Sequence, residues 1–295
     1  MSDPSAALSS RRLLRLSDGW RRLFSDPMGL IGLTLVVLLA LSAIFAPWLA
    51  PFEPNAMDVM NKLLPPSGDH WLGTDQLGRD VFSRVLYGGR VALTVALTAT
   101  GSALIVGASL GLAAGYGPRW LDNLFVLVFD TVRCFPTIIF ALAVGPLFGG
   151  GLETVIVIIV ITTIPYYGRI VRTQVLALKN SEFIIAERAM GASSLRIVFL
   201  HLLPNISGPV LILASMDIPI VITAEAGLSF LGVGVKPPTP SWGLILDDGY
   251  SFIHHTSWLV IAGGIPLILA TLGFTFLGEA LRDAFDPKLR REGGP

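Results

Sequence analysis

Apolar residues run along this chain in blocks longer than a surface helix needs, separated by short polar, glycine-rich or proline-rich stretches. A hydrocarbon layer about 30 Å thick takes about 20 apolar residues wound as a helix, because every backbone polar group must be satisfied within the segment. Runs at 29–50, 91–115, 122–148, 152–172, 208–231 and 257–281 meet that length. The pattern predicts an all-α membrane protein with six transmembrane helices. The first run is too long for the apolar region of a signal peptide, and APWLAPFEP offers a poor small-residue cleavage site.

Interruptions inside the runs carry further information. In the second run Ala99, Ala103, Gly107, Gly111 and Gly115 recur every fourth position, which puts small side chains on one helix face. Such a ridge lets helices approach closely in lipid, or serves as a glycine hinge. Pro136 interrupts the third run and Pro165 the fourth, so each marks a kink or a cavity lining. Between the last two runs, LSFLGVGVKPPTPSWGLILDDGYSFIHHTSW mixes large apolar side chains with many Gly and Pro residues, and it reads as a re-entrant or surface-lying piece.

Composition agrees: 53% of residues are hydrophobic and 14% charged, against about 25% charged in soluble domains. Net charge is zero, so nothing points to a nucleic-acid partner. The positions of Lys and Arg set the expected orientation. With the N-terminus inside, the tail contributes Arg11, Arg12, Arg15, Arg21 and Arg22, and the middle loops contribute Arg119, Arg169, Arg172, Lys179, Arg188 and Arg196. The C-terminal tail adds Arg282, Lys288, Arg290 and Arg291. Only Lys62, Arg79, Arg84, Arg90 and Lys236 then fall outside. The expected division is a cytoplasmic tail (1–28), a first transmembrane helix (29–50), an external loop (51–90), a five-helix core (91–281) holding a cytoplasmic loop at about 173–207, and a cytoplasmic tail (282–295). RRLLRLSDGWRRLF reads as a positive-inside anchor or as a helix lying on the anionic leaflet.

Ionisable residues inside spans default to functional hypotheses. Asp130 and Arg133 are three apart and could pair, or lie along a substrate path. Asp217 and Glu225, eight apart, fall on roughly one helix face; they could line a polar pathway, or Glu225 could be solvated or cap the next loop. His254 and His255 are adjacent, do not share a helix face, and suit a wet interface better than a metal. Lone Cys134 excludes an intrachain disulfide framework and gives no metal cluster. HExxH is absent and no Ser/His/Asp set has a spacing that demands catalysis, so no catalytic residue is expected. The lysines at 62, 179, 236 and 288 follow Asn61, Leu178, Val235 and Pro287, so the chain has no Walker A loop. If ATP drives the protein, a partner hydrolyses it.

One loop segment, EFIIAERAMGASSLRIVFLHLLPN (182–205), reads as helix, elbow and second helix. Phe183, Ile184, Ala186 and Met190 can cluster on one face, with Glu182, Glu187 and Arg188 elsewhere. Gly191 permits a sharp turn into Ala192, Ser193 or Ser194 can cap the second helix, and Pro204 begins the next span. A short amphipathic helix with no core of its own suits a groove on another protein, or else lies on lipid.

Here the residues resemble a known family. Ala186, Gly191, Leu203 and Pro204 are similar to the EAA motif of ABC importer permeases, the loop that docks on the ATPase. Two positions depart from it. The leading Glu of the motif is Ile185, with the acid displaced to Glu187, and the later Ile is His201, which resembles the HxLPN ending of peptide-type permeases. HWLGTDQLGRDVFSRVLYGGRVAL (70–93), DTVRCFP (130–136) and AEAGLSFLGVGVKPPTPSWG (224–243) resemble segments of dipeptide, oligopeptide and nickel importer permeases. The opening FSDPMGLIG through APWLAPFEPN is similar to the C-type subunit of the permease pair. The resemblance runs from about residue 24 to 290 and implies a type I ABC importer permease fold with a cytoplasmic coupling helix, in a bacterial inner membrane. It also implies a homologous permease partner, two ATPase subunits holding ATP and Mg, and a solute-binding protein docking on 51–90 and 231–256. Arg133 and Asp217 lie outside the family pattern and are this chain's own candidates for substrate contact. The rival is an ion-coupled secondary transporter using Asp130, Asp217 and Glu225, which has no need of a docking helix.

Overall fold

The computed structural model describes residue 21 and residues 23–285. Most of RRLLRLSDGWRRLF and the C-terminal cations Lys288, Arg290 and Arg291 lie outside the described residues. Among the described residues the chain is helical, with no named strand and a single isolated bridge between Thr74 and Asp80.

Helix α1 (Pro27–Ile44) starts where Asp26 accepts hydrogen bonds from the Met28 and Gly29 amides at 3.2 and 3.0 Å, with Pro27 set for the first turn. Helix α2 (Val81–Tyr116) is 36 residues long and is capped by Asp80, whose Oδ2 accepts from the Ser83 amide at 2.8 Å. It begins at Val81 rather than at 91, because Arg84, a charge that ends an apolar run on paper, is buried against the preceding segment.

The third apolar run divides into α3 (Arg119–Arg133) and α4 (Thr137–Val144), the latter continued by a tight turn at Gly145–Phe148. The two parts are bent by 83°. Pro136 lacks an amide hydrogen and disfavours helical backbone at the residue before it, so the helix stops there. Helix α5 (Leu152–Leu178), by contrast, runs through buried Pro165 as one element. After α6 (Glu182–Ala189), a short turn at Ser194–Arg196 and a π-helical stretch at Ile197–Leu202 lead into α7 (Leu203–Phe230). Helices α8 (Trp242–Ser251) and α9 (Trp258–Phe285) follow, and α9 ends the described residues. Among the described residues, five helices are long and apolar enough to cross a membrane, and the bent α3–α4 pair makes a sixth crossing if it counts as one.

The ridge of small residues on α2 is a packing seam. A side chain added at Gly107 would lie 2.7 Å from the Ile164 carbonyl oxygen, at Gly111 2.5 Å from that of Gly168, and at Gly115 2.8 Å from Val175 Cβ. The contacts advance together along both helices, so α2 and α5 run parallel with their backbones nearly touching. Helix α1 lies on α9 by the same device, with Gly32 against the Leu277 amide and Gly273 against Leu35. Around the α2–α5 seam, Tyr167, Val171 and Val175 meet Ile184, Ile197 and Leu202 in one apolar cluster. A larger cluster toward the Val81 end holds Val95, Ile158, Ile222, Trp242 and Leu259.

Candidate transport sites

Residues 51–80 form a folded cap rather than an open loop. Asp75 organises it: Oδ1 accepts from the Leu77 and Arg79 amides at 2.9 and 3.0 Å, and Oδ2 accepts from Arg79 Nε at 2.6 Å. Arg84 Nε lies 3.5 Å from the same oxygen. From α8, Asp248 accepts from Gln76 at 2.7 Å and faces Arg79 at 3.7 Å. Two carboxylates and two guanidiniums thus lock the cap to α2 and α8. Burial raises the Asp248 pKa above its ordinary value, the nearby Asp75 charge adds to that, and Arg79 and Arg84 oppose it. His70 Nδ1 meets Asp80 Oδ1 at 2.9 Å, and Trp242 Nε1 donates to the Val85 carbonyl at 2.9 Å. On sequence, Arg79 and Arg84 were only charges; the i,i+4 spacing of Asp75 and Arg79 in LGTDQLGRD was the signal available for their role.

Asp217 and Glu225 part company. Eight residues advance a helix about 80° beyond two full turns, enough to aim them at different neighbours. Glu225 is fully buried, and its Oε1 accepts from the Ser229 and Ser241 hydroxyls at 2.8 and 2.9 Å. Ser229 in turn accepts from the Val235 amide at 3.0 Å, and Ser241 from the Gly243 amide at 3.2 Å. Glu225 therefore ties α7 to the 231–241 turn and to the start of α8. Asp217 instead lines a cavity of about 620 Å³ between α4, α5, α7 and α9, and its Oδ2 accepts from the Tyr167 hydroxyl at 3.0 Å.

The expected pairing of Asp130 with Arg133 is not what forms. Asp130 pairs with Arg169 of α5, while Arg133 lies at the end of α3. Two turns earlier, Arg172 of α5 clamps Asp122 through both oxygens at 2.5 and 2.8 Å. Both acids face α5 because that is the helix α3 packs on, and a partner on another helix beats a neighbour at the end of its own.

The 182–205 segment is helix, elbow and helix, as its composition suggests. The Gly191 amide donates to Arg188 O and the Ala192 amide to Glu187 O, both at 3.0 Å, and Gly191 sits at φ +84°. That is the paired closure which needs a left-handed residue after a helix. Ser193, not Ser194, caps the next turn by accepting from the Arg196 amide at 3.4 Å. Leu203 and Pro204 form the first turn of α7. The apolar face differs from expectation in one residue. Ile184 turns inward and is fully buried with Val171, Val175 and Ile197, while Phe183, Ile185 and Met190 are exposed beside exposed Ala186. One apolar residue was needed to bind the helix to the bundle, and Ile184 occupies that face together with half-buried Glu187. The two departures from the EAA pattern meet here, since Glu187 Oε1 lies 3.5 Å from His201 Nε2. Arg188 stacks over the Tyr116 ring at 5.5 Å, and Lys179 Nζ donates to the Gly115 carbonyl at 3.0 Å. Glu182 is exposed at the start of α6.

The apolar helices frame a mostly apolar cavity with one carboxylate on its wall, and α6 stands tethered to the bundle with an apolar face exposed. The chain belongs to the family described as binding-protein-dependent transport system inner membrane component, whose family model matches residues 107–291. A second model, the N-terminal TM domain of oligopeptide transport permease C, matches residues 15–66 and places the chain among the C-type permeases. It is a permease of an ABC importer in an inner membrane and is not itself an enzyme. That membership sets aside the secondary-transporter reading.

Similarity extends over nearly the whole chain. The dipeptide transport system permease protein DppC of Alkalihalophilus pseudofirmus is 39% identical over 92% of this chain and 90% of its own length. The oligopeptide transport system permease protein OppC of Bacillus subtilis is 34% identical over 99% and 98%. The glutathione transport system permease protein GsiD of Pectobacterium atrosepticum is 37% identical over 92% and 90%. Among solved structures, the methionine ABC transporter MetNI in an inward-facing conformation matches with a TM-score of 0.58 at 20% identity, covering 68% of this chain and 96% of that one. This likeness establishes the type I importer permease fold.

Proposed function

We propose that this subunit passes peptides through the inner membrane as one half of a permease pair, driven by two ATPase subunits that hold ATP and Mg. Its termini and α6 face the cytoplasm. A solute-binding protein docks on the opposite end, over the cap at 51–80 and the segment 231–256. The peptide assignment draws on the relatives described as dipeptide and oligopeptide permeases.

The observation that carries the coupling step is α6. Phe183, Ile185, Ala186 and Met190 are exposed, while Ile184, Glu187 and Arg188 hold the helix to the bundle. An exposed apolar face on a tethered helix suits a groove on the ATPase. Movement of that ATPase is passed through Gly191 and the Leu203–Pro204 turn into α7, which carries Asp217 on the cavity wall. The pathway would then run past Asp217. Asp130 and Arg133 stand at the bend of α3 and α4, and Glu225 keeps α7 attached to the outer scaffold.

Deleting 182–191 tests this. ATP-driven uptake is lost while membrane insertion and assembly with the second permease survive. Uptake that persists without the helix overturns the coupling role.

A further inference from the structure

The cavity beside Asp217 has a chemical bias of its own. Asp217 is the one ionisable side chain among the described residues lining it, and no Lys, Arg or His joins it. Its remaining polar side chains are threonines from four helices: Thr137, Thr162, Thr163, Thr223, Thr271 and Thr275. Thr162, Thr223 and Thr271 each donate their hydroxyl hydrogen to a carbonyl of their own helix, at 3.0, 2.8 and 2.8 Å. A hydroxyl whose hydrogen is so used has only lone pairs left to offer. Three hydroxyls, those of Thr162, Thr223 and Thr271, thus offer only lone pairs in a cavity that holds one carboxylate, in apolar surroundings of Ile138, Ile159 and Ile220.

Asp217 itself is held by one oxygen. Tyr167, fully buried, donates to Oδ2, and no described residue donates to Oδ1. Asp217 retains only 9% exposure and forms no ion pair with a described residue. Buried carboxylates are usually paired or neutralised, so an unpaired one on a cavity wall points to a cationic visitor.

Building on the peptide reading above, we propose that Asp217 is a transit site for the free α-ammonium group of the peptide. Oδ1 receives the ammonium, Tyr167 fixes the carboxylate through Oδ2, and threonine lone pairs accept the remaining N–H groups. A volume of about 620 Å³ falls within the roughly 300–1,000 Å³ typical of small-molecule sites. One carboxylate without a second charge holds the group weakly enough to release it, as conduction requires. A free carboxylate terminus finds no cation here and is disfavoured.

The test uses the complete transporter in proteoliposomes, with its binding protein, and two labelled probes: tri-alanine and N-acetyl-tri-alanine. Asp217→Asn removes the charge but keeps an acceptor for Tyr167, so the thermal unfolding midpoint in detergent is expected to stay where it was. The ratio of tri-alanine import to acetylated-peptide import falls about tenfold, a loss of about 1.4 kcal/mol of discrimination, and Asp217→Glu recovers part of that ratio. An equal loss for both peptides, or no loss for either, overturns the ammonium site and leaves the peptide reading standing. A wild-type transporter that imports neither peptide overturns the peptide reading, and this site with it.

Discussion

Gly191 is the position where backbone alone should govern activity. Its φ of +84° lies in the left-handed region, and a Cβ built there meets no atom within 4 Å. Space is therefore not the constraint. An L-residue in that conformation costs about 1–2 kcal/mol, and Asn less, because its short polar side chain bonds to the local backbone. Two hydrogen bonds depend on the same torsion, Gly191 N to Arg188 O and Ala192 N to Glu187 O, both 3.0 Å. Since about 1.4 kcal/mol is a factor of ten in an equilibrium, Gly191→Ala should cut the population of the formed elbow roughly tenfold against its alternatives. A β-branched residue is a stronger outlier there, so Gly191→Val should do worse. The assay is the initial rate of ATP-driven uptake in proteoliposomes, normalised to inserted protein. The expected order is wild type, Asn, Ala, Val. If crowding were the limit, Asn, the bulkier residue, would be worse than Ala. That result, or a Val variant equal to wild type, would refute the reasoning.

Asp75→Ala removes the anion shared by Arg79 and Arg84, leaving two buried guanidiniums with Asp248 alone. Breaking such a network costs about 3–5 kcal/mol, read as a lower thermal midpoint and faster trypsin cleavage within 51–80; an unchanged midpoint counts against the cap being held this way. Gly111→Ala puts a methyl 2.5 Å from the Gly168 carbonyl oxygen, an overpacking expected to cost about 1–3 kcal/mol. Gly101→Ala on the same helix meets nothing within 4 Å and should be neutral or stabilising, so equal effects at the two sites would sink the seam argument.

Much of this architecture was legible from local pattern. The lipid core demands internally bonded helices of a set length, so hydropathy placed the crossings. Pro136 carried the break in the third crossing because a missing amide hydrogen acts on its own helix. Gly191 and Ser193 likewise act on adjacent backbone, and the four-residue period on α2 announced a seam without naming its partner. Each of these features arises from neighbours within a few residues.

The tertiary structure decided matters of rotation and of distant partners. Asp122 and Arg172, and Tyr167 and Asp217, are each 50 residues apart, and Asp130 met Arg169 rather than Arg133. Ile184 rather than Ile185 turned inward, and Asp217 rather than Glu225 reached the cavity, because a helix's rotation is set by whatever packs against it. Glu187 and His201, two isolated departures in the sequence, became a pair only once the elbow at Gly191 folded one helix back toward the next. The membrane dictates helices through forces that act along the chain; which face each helix shows, and so which charge meets which, is decided by packing between segments that sequence distance keeps apart.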